Sequence, residues 1–133
     1  MKKVPPVVRH FVLCEEVVVA PEYPDKVSLL NLIYAIRSRE TPAYPLLNEE
    51  FAAFVMLTNA RGNGVIGLRM IQADSQEEVY RVPQRAVNFG DDPLQVFGLP
   101  VRFRNCLFPD AGVYWVQLLF DGEVIAQQDL LMR

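Results

Sequence analysis

The sequence predicts an all-β protein, an antiparallel two-sheet β-sandwich formed by residues 1–133 as a single domain. Three observations carry that expectation. Apolar residues alternate with period two, and no segment shows a helical stripe. The chain holds 18 valines and 14 Phe, Tyr and Trp residues, types that suit a pleated, half-buried surface. Turn residues break it into about seven to nine short strands, the spacing of a sandwich or barrel.

The first strand is expected over Val7–Val19, with Glu15-Glu16 marking a bulge or its end. Pro21, Tyr23 and Pro24-Asp25-Lys26 make a turn-rich break. Val27–Arg37 then reads as a central strand, because it is apolar on both faces. Thr41–Pro45 is an irregular connection, and a single helical turn fits Leu46–Glu50. Phe51–Asn59 and Val65–Ala73 are expected to pair as a hairpin about Asn63-Gly64, a dipeptide that accepts φ > 0 at both turn positions. Glu78–Val82 reads as a strand stopped by Pro83, Leu94–Phe97 as a short one, and Val101–Arg104 alternates cleanly.

The last segment is the most informative. Phe108–Phe120 and Glu123–Met132 flank Asp121-Gly122. A two-residue loop would mix Tyr114, Val116 and Leu118 with Gln127 and Asp129 on one face. A three-residue loop with a bulge at Gly122 sorts the faces, and a one-residue slip moves every side chain across the sheet. The sequence therefore predicts the bulged loop. Tyr114, Val116, Leu118, Val124, Ala126 and Leu130 face the core, and Trp115, Leu119 and Ile125 face outward.

Composition narrows the function classes. With 51% apolar residues and a net charge of −3, disorder is excluded. The slight acidity argues against nucleic acid as a partner. No apolar run nears the roughly 18 residues of a membrane span. The N-terminal stretch does not read as an export signal, since Pro5, Pro6, Arg9, His10 and Glu15-Glu16 interrupt it. None of the six asparagines begins an Asn-x-Ser/Thr site. Cys14 and Cys106 allow at most one bridge, and a cytoplasmic protein with reduced thiols is expected.

Asp110-Ala111-Gly112-Val113-Tyr114 resembles the Asp-x-Gly-x-Tyr signature of immunoglobulin-like domains. That resemblance implies a corner at Asp110, Gly112 and Tyr114, where the Tyr hydroxyl bonds back to upstream backbone. Val116 stands where antibody domains carry their second disulfide cysteine. Over nearly the whole chain, Phe11–Glu16, Lys26–Tyr34 and Pro109–Gly122 resemble segments of an uncharacterised bacterial family of small β-sandwich proteins, a domain of unknown function. The resemblance implies a fold and a bacterial cytoplasm, and no ligand or activity.

Catalytic chemistry finds few candidates. His10 is the only histidine, and serines and threonines together number five. Two distant cysteines and one His do not make a zinc site, and Glu15-Glu16, Asp25 and Asp91-Asp92 lack calcium-loop spacing. No catalytic, metal or cofactor residue is assigned. Arg102 and Arg104 share a strand face where, with Arg69, Arg81 and Arg85 nearby, they would contact an anion or simply keep an edge charged. The expected function is non-catalytic binding of protein, including self-association as a homodimer, through Trp115, Leu119 and Ile125. The alternative is a small-ligand or carbohydrate-binding sandwich using Tyr23 and Tyr44. An enzyme ranks last.

Overall fold

Alternation of apolar and polar residues does produce strands throughout. The computed structural model describes residues 2–133, and for Pro24 only the backbone. Nine strands are described: β1 (Val7–Ala20), β2 (Tyr23–Leu32), β3 (Ala35–Ile36), β4 (Leu46–Thr58), β5 (Asn63–Gln72), β6 (Glu78–Asn88), β7 (Phe97–Phe108), β8 (Gly112–Phe120) and β9 (Glu123–Met132). They form two sheets, a four-stranded one ordered β2-β1-β4-β7 and a five-stranded one ordered β3-β9-β8-β5-β6. Pairing is antiparallel except for β3 with β9, which is parallel over two residues. No helix of the described residues is long and apolar enough to cross a membrane.

Every second residue of the central strands enters the shared core. Phe51, Val55 and Leu57 of β4 meet Leu68 and Met70 of β5, Phe103 of β7, Tyr114, Val116 and Leu118 of β8 and Leu130 of β9, all essentially inaccessible to solvent. Aromatic contacts knit this layer. Phe51 and Phe103 centroids lie 4.8 Å apart, and Phe108 meets Tyr114 edge-on at 5.1 Å. Burying one such side chain removes about 1.5–3 kcal/mol of apolar exposure from water. Gln128 Nε2 also donates to the Phe11 carbonyl at 3.0 Å, tying β9 to β1 across the sandwich.

Several sequence expectations are corrected here. The segment Leu46–Glu50 is strand, paired with β7 from Leu46↔Phe108 onward. Phe51–Asn59 and Val65–Ala73 do not pair as a hairpin, because β4 and β5 lie in different sheets. The turn falls earlier, at Asn59 (φ 60°) and Gly62 (φ 84°). Gly64 is already in β5, where a Cβ would lie 2.3 Å from the Phe120 ring, so the absent side chain serves close packing. Pro83 does not stop β6. That strand is an edge, and Pro83 sits where Gly67 alone separates the pairs Ile66↔Arg85 and Leu68↔Val82, a bulge that needs no donor from it. Leu94 belongs to a turn, 87% exposed.

The last hairpin satisfies both demands on it. Asp121 (φ 50°) and Gly122 (φ 84°) form a two-residue loop, with Phe120 opposite Glu123. The extra residue comes one step later, because Leu119 pairs with Val124 and Leu118 with Ala126, leaving Ile125 unpaired. From Leu118↔Ala126 to Gly112↔Met132 the register is the one the polarity pattern selected. The bulged loop itself is corrected to a tight turn followed by a strand bulge.

Candidate functional site

Two regions of β8 carry the residues singled out from the sequence. At its start Gly112 adopts φ +132°, a conformation that favours glycine. The Tyr114 hydroxyl donates to the Asp110 carbonyl at 2.7 Å and accepts from the Asp110 N–H at 3.2 Å. Tyr114 is fully buried, and burial holds its phenol above the ordinary tyrosine range. This geometry pins the chain where β7 hands over to β8.

Further along, Trp115, Leu119 and Ile125 do not form the exposed apolar patch expected of them. Leu119 is only 5% exposed, and the bulge turns Ile125 against the core cluster. Trp115 is half-buried beside Ile71, its neighbour on β5. Polar side chains cross the middle of this outer face, between exposed Val113 at one end and, at the other, Val124, which the bulge moves from its expected core position to 43% exposure. Arg69 Nε donates to Gln117 Oε1 at 2.8 Å, and Gln117 Nε2 donates to Gln127 Oε1 at 3.1 Å. Arg81 pairs with Glu78 at 2.6 Å, which holds the Glu78 carboxyl below its usual range.

The arginines are also distributed differently. Arg102 and Arg104 share the single carboxylate of Glu50 at 3.6 and 3.8 Å, all three side chains being more than half exposed. Arg69 and Arg81 lie on the other sheet and do not join them; Arg85 shares a cleft with Arg102. Tyr23 and Tyr44 are likewise separate. Lys26 Nζ lies 4.4 Å from the Tyr23 ring centroid at the tip of the first hairpin, whereas the Tyr44 hydroxyl donates to the Arg133 carbonyl. His10 is exposed on β1, and among the described residues no three His, Cys, Asp or Glu side chains converge as metal ligands. Cys14 and Cys106 are both free and buried; desolvation raises both thiols, that of Cys106 to about 12.

The surface that departs most from the rest of the sandwich is the first hairpin. β1 pairs with β4 from Val7 to Cys14, and there the pairing ends. From Cys14 onward β1 pairs only with β2, through Glu16↔Leu30 and Val19↔Val27. The two strands thus leave the sheet as an arm. Asn31, at φ 54°, bends β2 at this fork, and its amide donates to Glu15. A cleft of about 750 Å³ opens between the arm and the sheet, lined by Glu16, Val17 and Val19 on one side and Glu50, Ala52 and Arg102 on the other. The arm displays Val18, Val19, Tyr23, Leu30 and Leu32, each at least 41% exposed.

This overturns the reading of Val27–Arg37 as a central strand. β2 is an edge strand, ending at Leu32, and its two apolar faces are not both covered. The signal was present in the sequence as six residues, Val27–Leu32, without a charge. Periodicity alone cannot separate double burial from double exposure.

The fold defines the class: an all-β sandwich of two unclosed sheets with no helix among the described residues. The chain belongs to DUF6941, a family of unknown function, whose model matches residues 9–133. No curated protein matches it in sequence. Among solved structures, it is similar to a Pseudomonas fluorescens alkylpurine DNA glycosylase, AlkC, bound to DNA containing an abasic site analog, at 11% identity and TM-score 0.46, covering 92% of this chain and 30% of that one. It is also similar to a beta-D-glucoside glucohydrolase from Trichoderma reesei, at 8% identity and TM-score 0.51, covering 97% and 19%. The chain therefore spans less than a third of either protein, and the second likeness is one of fold alone.

Proposed function

We propose that this protein is a non-catalytic β-sandwich that works by binding protein, and that the β1–β2 arm is its contact surface. One observation carries the reading: five large apolar side chains stand exposed on a hairpin that has left its own sheet. Apolar groups concentrated on a projecting element lose water only when something docks on them. The Trp115 face does not compete, being half-buried and crossed by the Arg69–Gln117–Gln127 row. We take the sandwich to be immunoglobulin-like, on the strength of the Asp110–Tyr114 corner and the parallel run of β3 beside the last strand. Two buried, unpaired thiols fit a reducing compartment such as a bacterial cytoplasm.

A photo-crosslinking side chain at Leu30 tests the contact surface in the producing cell. The expected result is an adduct of defined mass that a control probe at Leu94, which is 87% exposed on a turn, does not form. Absence of a site-specific adduct at Leu30 contradicts the reading.

A further inference from the structure

The two sheets have four edges, and three of them are unfit to pair with another strand. β3 is two residues long. β6 carries Arg81, Pro83 and Arg85 and two register shifts. β7 carries Pro100, Arg102 and Arg104. Short length, charge, proline and bulges are the devices by which proteins keep sheet edges from joining. β2 has Pro24, Asp25 and Lys26 at its tip and bends at Asn31, but the unbroken ladder segment between them, Val27–Leu30, has no charge and no proline.

We infer that β2 is a dimerisation edge, and that the occupant of the arm is the β2 strand of a second copy, paired antiparallel about a two-fold axis. This rests on the arm being the contact surface. The Ile33 N–H donates to the Leu13 carbonyl, so Cys14↔Leu32 is a pair without direct hydrogen bonds. The ladder then skips Glu15 and Asn31, the latter at φ 54°, and resumes at Glu16↔Leu30 with the bonding parity exchanged. Leu30 and Ser28 are thus bonded to Glu16 and Val18 of β1, and Val27 and Leu29 turn their N–H and C=O groups outward, free for another strand. A second copy offers the same groups in the same spacing, so one strand is its own complement.

The chemistry of the strand selects a register. With the two-fold axis at Ser28, each hydroxyl faces its own copy, and Val27 stands opposite the partner's Leu29 twice over. Asp25 falls opposite the partner's Asn31, and no like charges meet. Centring on Leu29 instead would place Val27 opposite the partner's Asn31 and leave one apolar pair on that face. Joining the edges extends each four-stranded sheet into one continuous sheet of eight, with Leu30 beside the partner's Lys26 stem. A contact of one strand per copy belongs to the small, reversible class of interfaces.

Sedimentation equilibrium and two substitutions test the inference. The wild type is expected to sediment at twice its 15.2 kDa chain mass at about 100 µM. Ser28→Lys places like charges face to face across the axis, and it is expected to weaken association about a hundredfold while circular dichroism stays unchanged. Ser28→Cys is expected to cross-link into a covalent dimer under air with a copper catalyst, because the non-hydrogen-bonded antiparallel pair at the axis holds its Cα atoms about 4.5 Å apart, within disulfide reach. The native thiols are buried and do not interfere. A wild type that stays monomeric at that concentration overturns the dimer, as does a Ser28→Lys protein that remains dimeric. The Leu30 probe separates the two failures: with a monomeric wild type, an adduct to a different protein overturns only the dimer, and no adduct overturns the contact surface as well.

Discussion

The first and last hairpins look alike in sequence and behave in opposite ways. Both are rich in Val and Leu and both have apolar residues at odd and even positions. β8–β9 sits inside its sheet, between β5 and β3, and buries Tyr114, Val116, Leu118 and Leu130 completely. β1–β2 begins inside a sheet and leaves it at Cys14, so that Leu30 and Leu32 remain 44% and 62% exposed. The same alternation therefore serves packing in one hairpin and display in the other. Neighbouring strands, not the strand's own pattern, decide which.

Truncating a leucine in each hairpin gives the widest separation. Leu118→Ala should destabilise by about 3 kcal/mol, since it empties a volume that surrounding side chains fill only in part. Leu30→Ala should change stability by less than about 0.5 kcal/mol. Urea midpoints measure both. Equal losses would mean that β2 is packed as tightly as β8, and the contrast between the hairpins would disappear.

The two thiols sharpen the contrast kinetically. Cys14 lies at the fork, beside Leu32 and Ala52, and Cys106 lies within the sandwich core. Both are held protonated by burial, so both should resist alkylation at pH 8. Opening the arm exposes Cys14 without unfolding the core, so it should react at least about tenfold faster than Cys106 in native protein. Matching rates, read by mass spectrometry of the labelled sites, would show the arm and body opening together.

Tyr114→Phe removes the hydroxyl that bonds both the N–H and C=O of Asp110, and should cost about 1 kcal/mol or somewhat more. An unchanged denaturation midpoint would remove the corner as an anchor of the β8–β9 side. The smallest effect concerns pH. Glu78 is held below its ordinary value by Arg81, so its contribution is present above the unfolded value of 4.5 and fades as pH falls through the lower folded one. The pair is more than a third exposed and screened, so Glu78→Gln should cost only a few tenths of a kcal/mol at neutral pH and nothing in acid.

Fold class and most core residues were legible in the sequence, because period two and turn chemistry are local properties. The last hairpin shows how far this extends. Polarity demanded a one-residue offset and Asp121-Gly122 demanded a two-residue turn. The chain meets both by placing the extra residue at Ile125, which in turn withdraws that side chain from the predicted outer patch. Sheet membership was not legible. Asn63-Gly64 has the composition of a turn, but Gly64 is small because Phe120 lies against it, a contact 56 residues away. The arm was missed for the same reason: Val27–Leu32 reads as a buried strand until β4 is seen to part from β1. Arg102 and Arg104 were found as a pair, but their shared partner, Glu50, comes from the neighbouring strand.

Amide hydrogen exchange along β2, measured across protein concentration, tests the open edge most directly. At high dilution the Val27 and Leu29 amides should exchange quickly while those of Val116 and Leu118 stay protected. Raising the concentration into the tens of micromolar should slow Val27 and Leu29 alone. Amides of Val27 and Leu29 that are already protected at the lowest concentration would contradict the claim, since the edge would then be satisfied within a single chain.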